Sequence, residues 1–269
     1  MQKLVFLLLL SLVLTGCLAP QEVPEAIVPT TQASTLPITE PTALPATEPA
    51  TEPAETEPEA QSLYIPGVSV EDVIRYFNEV CLDAEFVNSG DPSRLQRWEE
   101  PIYYDINGDP TQEDLEVLRS FVEWLNGIEG FPGMYEAASP MEARLDIHFT
   151  DSQSMVEILG ENFAGMDGGV TFWYQSDIIY RGTICYLSTI HQYTRNSVIL
   201  EEIYNGLGPV QDTDLRPDSI IYSGFSEPQS LTPIDELLLR LLYHPQMQCG
   251  MSASECEAVI RQLYQEPNS

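Results

Sequence analysis

The segment between residues 18 and 65 most constrains how this chain can fold. It repeats Thr-Glu-Pro and Ala-Thr-Glu-Pro, and residues 18–61 carry eight glutamates and no basic residue. Proline fixes φ and removes a hydrogen-bond donor, and the glutamates repel each other, so burial of the few apolar side chains does not offset the entropy lost on ordering. We therefore predict a disordered, extended linker over residues 18–65 and a folded domain over residues 66–269.

The charge of the chain excludes several classes of partner. It has 42 acidic residues against 11 basic ones, a net charge of −31. A chain this acidic repels the phosphates of nucleic acids and the headgroups of anionic lipids, so we expect no nucleic-acid partner. Its hydrophobic fraction of 43% is nevertheless sufficient for a packed core.

Residues 1–17 have the pattern of an export signal. Lys3 precedes an apolar run over residues 4–14, which is shorter than the roughly 20 residues of a membrane-spanning helix. The run ends in a Leu-Thr-Gly-Cys sequence at Cys17, which resembles the signal of bacterial lipoproteins. That resemblance implies cleavage before Cys17, acylation of Cys17 by palmitate or a similar chain, and a mature protein held at the lipid bilayer outside the cytoplasm. The alternative is an ordinary signal peptide with a coincidental cysteine, and the sequence does not distinguish the inner from the outer membrane.

The part after residue 66 mixes strand and helix patterns. Period-2 and short apolar runs predict strands, and apolar residues at helical spacing predict helices. Most predicted strands precede the helical C-terminal third, which indicates an α+β domain with a largely segregated sheet. The predicted strands are 101–106, 144–149, 170–174 and 178–190, and the predicted helices are 69–82, 109–125, 194–205, 233–243 and 252–263. The last two strands are predicted to be neighbours across the turn at residues 175–177.

Four cysteines remain after Cys17. An even number outside the cytoplasm permits two disulfides in three connectivities. Cys249 and Cys256 are close in sequence, so we predict that they form one bridge, which leaves Cys81 and Cys185 for the other. The alternative is that each is a small buried apolar side chain.

The stretch from Arg195 to Met251 carries the most specific pattern. A Glu-Glu helix runs into Leu207-Gly208, an acidic loop follows, and a Leu-Thr-x-x-Asp helix start leads to a leucine-rich helix that ends at Tyr243. This order, with a final Gly-Met, resembles an uncharacterised family of secreted bacterial domains of unknown function. That family in turn resembles the zincin metallopeptidases, in which a His-Glu-x-x-His helix runs into Leu-Gly and a third zinc ligand follows. The resemblance implies a zincin-like α+β fold for residues 66–269.

The same resemblance assigns roles to single residues. It puts Glu201 at the first histidine position, Glu202 at the catalytic glutamate, and Asn205 at the second histidine. The third ligand position falls on Gln211 or Asp212. Zinc prefers nitrogen and sulfur donors, so this set is a poor zinc site, and a general base at Glu202 would have no metal-activated water to use.

The sequence offers two other sets of potential metal donors. The oxygen donors of Glu201, Asn205, Asp212 and Asp214 would suit calcium better than zinc. The three histidines of the chain are scattered without ligand spacing, which favours structural roles for them. In so acidic a chain, the Glu201-Glu202 pair is also explained by a solvated helix face.

Three functions therefore stay open. The first is a catalytically inactive metallopeptidase-like domain that needs no cofactor and binds an envelope protein or peptide. The second is an active peptidase that holds zinc, calcium or another metal through unusual ligands, with Glu202 as its catalytic residue. The third is a solute-binding lipoprotein, although about two hundred residues is small for the two lobes of such proteins.

Overall fold

A computed structural model describes residues 63–82, 94–224 and 226–266 of the chain. The predicted signal, Cys17 and nearly all of the predicted linker lie outside the described residues. The described part contains a six-stranded sheet and six α-helices. In chain order the elements are α1 (Val70–Leu82), β1 (Arg97–Trp98), β2 (Ile102–Gly108), α2 (Gln112–Asn126), β3 (Met134–Glu136), β4 (Leu145–Thr150), α3 (Ser152–Leu159), a 3₁₀ turn (Glu161–Phe163), β5 (Gly168–Gln175), β6 (Ile178–Leu187), α4 (Gln192–Gly206), α5 (Pro233–Tyr243) and α6 (Ala253–Leu263).

The sheet is mostly parallel. Its main order is β3-β2-β4-β6-β5, in which β5 is antiparallel to β6 and the other neighbours are parallel. The short strand β1 pairs in parallel with the start of β6, on the same edge of β6 as β4. The predicted α+β class is confirmed. The expected segregation is not found, because parallel neighbours need crossover connections and helices therefore alternate with strands.

The predicted elements with strong local signals are confirmed. Helix α5 has the predicted bounds, and its start is a capping box in which Thr232 and Asp235 bond each other's backbone. Strands β5 and β6 form the predicted hairpin, whose turn uses positive φ at Ser176 and Asp177. Strands β1 and β3 and helix α3 were missed because two-, three- and eight-residue elements carry little periodicity.

Strands β5 and β6 lie between two layers of helix. Along β6, Tyr186 belongs to the main core and Cys185 to a smaller cluster with Phe163, so alternate side chains serve opposite faces. Along β5, a Cβ on Gly168 would lie 2.4 Å from Val198 of α4, and a Cβ on Gly169 would lie 2.4 Å from Phe163. The glycine pair therefore lets both layers approach the backbone of β5.

Helix α4 is the central helix of the domain, and its C-terminal end is fixed by buried hydrogen bonds. The indole of Trp98 donates to the carbonyl of Gly206 at 2.9 Å, and the hydroxyl of Tyr243 donates to the carbonyl of Leu207 at 2.7 Å. Gly208 has φ +128°, and a Cβ there would lie 2.6 Å from the carbonyl oxygen of Gln96. The Leu-Gly turn thus needs glycine both for its conformation and for this close approach.

Candidate functional site

The polar side chains of the Glu-Glu motif are buried on α4. Glu201 and Glu202 are each 4% exposed, and Asn205 is 1% exposed. Glu201 and Asn205 share a helix face at i,i+4, as the sequence predicts. A solvated helix face is therefore excluded as the explanation for these residues.

Glu202 lies against the sheet. Its Cγ and Oε1 atoms would be 3.0 Å from a Cβ on Gly168, so the carboxyl group reaches the backbone of β5. Burial, together with a smaller contribution from the nearby charge of Glu202, raises the pKa of the Cys185 thiol to about 12. The carboxyl group thus occupies the space between α4 and the β5–β6 hairpin.

The amide of Asn205 has unused hydrogen-bonding capacity. Neither its Oδ1 nor its Nδ2 atom has a hydrogen-bond partner within residues 63–82, 94–224 and 226–266. The Oε1 atom of Gln211, just after the Leu-Gly turn, also has no hydrogen-bond partner among the described residues. Burying such a group without a partner is unfavourable by about 1–3 kcal/mol, so we expect Asn205 to bind an ordered water or a ligand atom.

The candidate metal donors do not form a metal site. In the described ranges, no group of three or more His, Cys, Asp or Glu side chains is placed to hold a metal ion. Glu201, Asp212 and Asp214 therefore do not form such a group, and Asp214 is exposed and accepts a hydrogen bond from Ser223. Asn205 offers an amide where zinc would need an imidazole, so these residues do not fit zinc.

The three histidines are distributed over different elements. His148 lies on β4, where burial lowers the pKa of its imidazole although Asp146 and Asp105 oppose this shift. His191 caps α4 and accepts a hydrogen bond from the backbone of Tyr193, and His244 follows the end of α5. These positions agree with the structural roles that the sequence favours.

Strand β5 is an edge strand of the described sheet, and α4 packs against its face at Gly168. In the described part of the chain, β5 pairs only with β6, so its other edge has no strand partner. Such an edge presents backbone N–H and C=O groups that can pair with an extended peptide. Sequence reasoning missed this feature, since strand order depends on contacts between residues that are distant in the chain.

The four described cysteines are free thiols, and neither predicted bridge is formed. The Cys249 thiol lies 3.3 Å from a carboxylate oxygen of Glu99, whereas Cys256 is buried on α6. Helix α6 packs on α1, and Cys256 adds to burial in raising the pKa of Cys81 on that helix. The tertiary structure thus brings Cys256 near Cys81 rather than joining it to its sequence neighbour, while Cys185 lies in the separate cluster beside α3.

Residues 70–262 match a family described as protein of unknown function (DUF2927). The chain belongs to this family. The DUF2927 match runs from the start of α1 almost to the end of α6, so it covers the whole sheet and the candidate site. No curated protein matches the chain. Among the described residues of the DUF2927 protein, no helix has the length and apolar character needed to cross a bilayer.

Proposed function

We propose that this protein is an extracytoplasmic lipoprotein whose metallopeptidase-like domain binds extended peptide or protein segments without cleaving them. The observation that carries the proposal is the outer edge of β5, which pairs with no strand among the described residues, on a strand whose face contacts the buried Glu202 of α4. The partner is a segment of an envelope protein or a peptide in the envelope.

The zincin resemblance supports the position of the binding site. Helix α4 runs into the Leu207-Gly208 turn. The zinc-binding helix of the zincin metallopeptidases also runs into a Leu-Gly pair. Glu202 occupies the place of the catalytic glutamate and contacts β5. A peptide bound along β5 would therefore lie at the place that corresponds to a peptidase groove.

The donor chemistry argues against cleavage. Glu201 and Asn205 stand where zincins have imidazoles, and zinc binds a carboxylate–amide pair poorly. The third position offers Gln211 or Asp212, which adds only oxygen donors. Without a metal to activate water, Glu202 has no nucleophile to deprotonate.

The edge strand and Asn205 together account for recognition. Backbone pairing along β5 would provide affinity for many sequences, because every residue except proline offers the same N–H and C=O groups. Asn205 can both donate and accept a hydrogen bond, and it has no partner in the described part of the chain. Its amide can therefore bond a peptide atom that enters the interior beside α4, where Asn205 is 1% exposed.

We expect peptides selected from a random library to bind the mature chain carrying Cys17→Ser and to remain uncleaved. N-methylation of the alternate peptide amides that face β5 should weaken binding about tenfold or more, because each lost hydrogen bond contributes about 0.5–1.5 kcal/mol. Calorimetry measures the affinity, mass spectrometry measures peptide integrity, and elemental analysis should find zinc well below one atom per chain.

The matched control shifts the N-methyl groups by one residue. Neighbouring amides of an extended strand point to opposite edges, so this peptide should bind almost normally. Equal weakening by both methylated peptides would contradict pairing with β5. A full equivalent of zinc, together with peptide cleavage that Glu202→Gln abolishes, would contradict the inactive domain.

The membrane anchor is a separate prediction. Cys17→Ser should abolish palmitate incorporation and release the protein from the membrane fraction, since acyl chains contribute about 0.8 kcal/mol per buried CH₂ and two chains are needed for stable anchoring. Metabolic labelling and cell fractionation measure both effects. Cys249→Ser is the control and should leave both unchanged, whereas palmitate retained by Cys17→Ser would remove the anchor from the proposal.

A further inference from the structure

A groove of about 410 Å³ lies on another side of α4, between α2, α5 and the segment 229–231. Its floor is apolar and includes a continuous stripe of α2 side chains. Val117, Phe121 and Trp124 lie on that stripe, and Leu200 of α4 and Leu231 complete the floor. The part of α2 that lines the groove, from Glu113 to Trp124, is about 16 Å long at 1.5 Å per residue, which is about three helical turns.

The rim of this groove is acidic. Glu113, Glu116 and Glu236 line it, and no lysine or arginine is among the described residues that do so. Glu113 accepts a hydrogen bond from the amide of Asn196, and Glu116 accepts one from the amide of Gln112, so these neutral donors leave both charges uncompensated. Glu236 is paired with Arg240 at 3.8 Å, and the Arg240 guanidinium lies over the ring of Trp124. The groove therefore combines an apolar floor with a negative rim.

We propose that this groove binds a basic amphipathic helix of a partner protein. Apolar side chains of such a helix would occupy the floor, and its lysines or arginines would lie against Glu113 and Glu116. Two other occupants carry the wrong charge. The linker of this chain has eight glutamates and no basic residue between residues 18 and 61, and a second copy of the protein is as acidic as the first.

This site is independent of the β5 edge. Leu200 lines the groove, whereas Glu202 lies against β5. Two residues correspond to about 200° around a helix, so these side chains point to nearly opposite sides of α4. A substitution in the groove can therefore abolish binding of the basic helix while peptide binding at β5 persists. Loss of peptide binding at β5 would likewise leave the groove proposal standing.

The test uses the mature chain carrying Cys17→Ser and an amidated leucine–lysine peptide of about twelve residues with leucines at helical spacing. Glu116→Lys should weaken binding about fivefold or more, because it replaces an attractive charge on the rim by a repulsive one. Ser120→Trp, which fills the groove without changing the charge, should weaken binding at least as much. Fluorescence anisotropy of the labelled peptide measures both.

Glu157→Lys is the matched control, since Glu157 is an exposed residue of α3, outside the groove lining, that accepts a hydrogen bond from Gln153 as Glu116 does from Gln112. It should leave the affinity within about twofold, because its charge does not face the peptide. Equal weakening by Glu116→Lys and Glu157→Lys would overturn the proposal and indicate attraction by net charge alone. Equally tight binding of a scrambled peptide, or a dimer that Ser120→Trp dissociates in sedimentation, would also overturn it.

Discussion

Replacing Asp114 by alanine is expected to destabilise the domain by about 3–5 kcal/mol. Asp114 on α2 and Arg195 on α4 form an ion pair with an N–O distance of 2.7 Å, and their side chains are 1% and 5% exposed. The substitution leaves the guanidinium buried without its carboxylate. Since domains are stable by only about 5–15 kcal/mol, urea unfolding should show a large fall in the midpoint.

Two further variants separate the buried charge from ordinary packing. Asp114→Leu combined with Arg195→Met should lose less stability than Asp114→Ala alone, because no unpaired charge remains. Glu136→Ala breaks the exposed ion pair between Glu136 and Arg119, which lies on α2 as Asp114 does. This variant should lose only about 0–1 kcal/mol of stability. Equal losses in Asp114→Ala and Glu136→Ala would contradict the importance of burial.

The Asp114 carboxyl group also predicts a pH dependence. Burial alone raises its pKa, but hydrogen bonds from Arg195, Thr111 and Gln192 outweigh burial and hold the pKa below its ordinary value. A group whose pKa is lower in the folded state stabilises the fold above its unfolded pKa of about 3.9, and this contribution is lost as the pH falls through the folded pKa.

The stability difference between the wild type and Asp114→Asn should therefore be largest near neutral pH and shrink below about pH 4. Urea midpoints measured from pH 7 to pH 3 provide the comparison. A difference that stays constant over this range would contradict a lowered pKa for Asp114.

Replacing Asp235 by alanine is expected to destabilise the domain by about 3 kcal/mol or more. Its buried carboxylate accepts hydrogen bonds from the hydroxyls of Ser219, Thr232 and Tyr76 at 2.6, 2.7 and 3.1 Å. It also accepts bonds from the backbone amides of Thr232 and Ile220 at 2.9 and 3.2 Å. Several buried donors would lose their acceptor at once, and thermal unfolding would report the loss.

Helix α6 offers a matched control for Asp235. Ser252 and Glu255 form the same capping box there, but Glu255 is exposed. Glu255→Ala should lose only about 0.5–1 kcal/mol, as expected for a solvent-exposed cap. If the two substitutions destabilised the domain equally, the capping box alone would explain Asp235 and its tertiary bonds would contribute nothing.

These two capping boxes illustrate which features the local sequence predicts and which it does not. The residues around Thr232 and Ser252 are enough to start α5 and α6, because a cap depends on side chains three positions apart. The buried contacts of Asp235 with Tyr76 and Ser219 lie 159 and 16 residues apart in the chain, and no local pattern indicates them.

In the candidate site, too, the sequence predicts some features and the tertiary structure decides the others. Helical spacing predicts that Glu201 and Asn205 share a face, and the composition of the motif predicts that imidazole ligands are absent from it. It does not predict that this face is buried, that Glu202 lies against Gly168 of β5, or that β5 is an edge strand. The solvated face that a charged chain suggests is wrong, because packing around α4 leaves these carboxylates almost no access to water.

The sequence by itself therefore determined the helices with clear caps and periodicity, the hairpin of β5 and β6, and the donor types on α4. These features depend on residues within about one or two helical turns of each other or across one tight turn. The tertiary structure alone decided the mostly parallel strand order, the nearness of Cys256 to Cys81, and the acidic groove between α2, α4 and α5. All three depend on contacts between distant residues, which follow from how the whole chain buries its apolar surface and not from any local pattern.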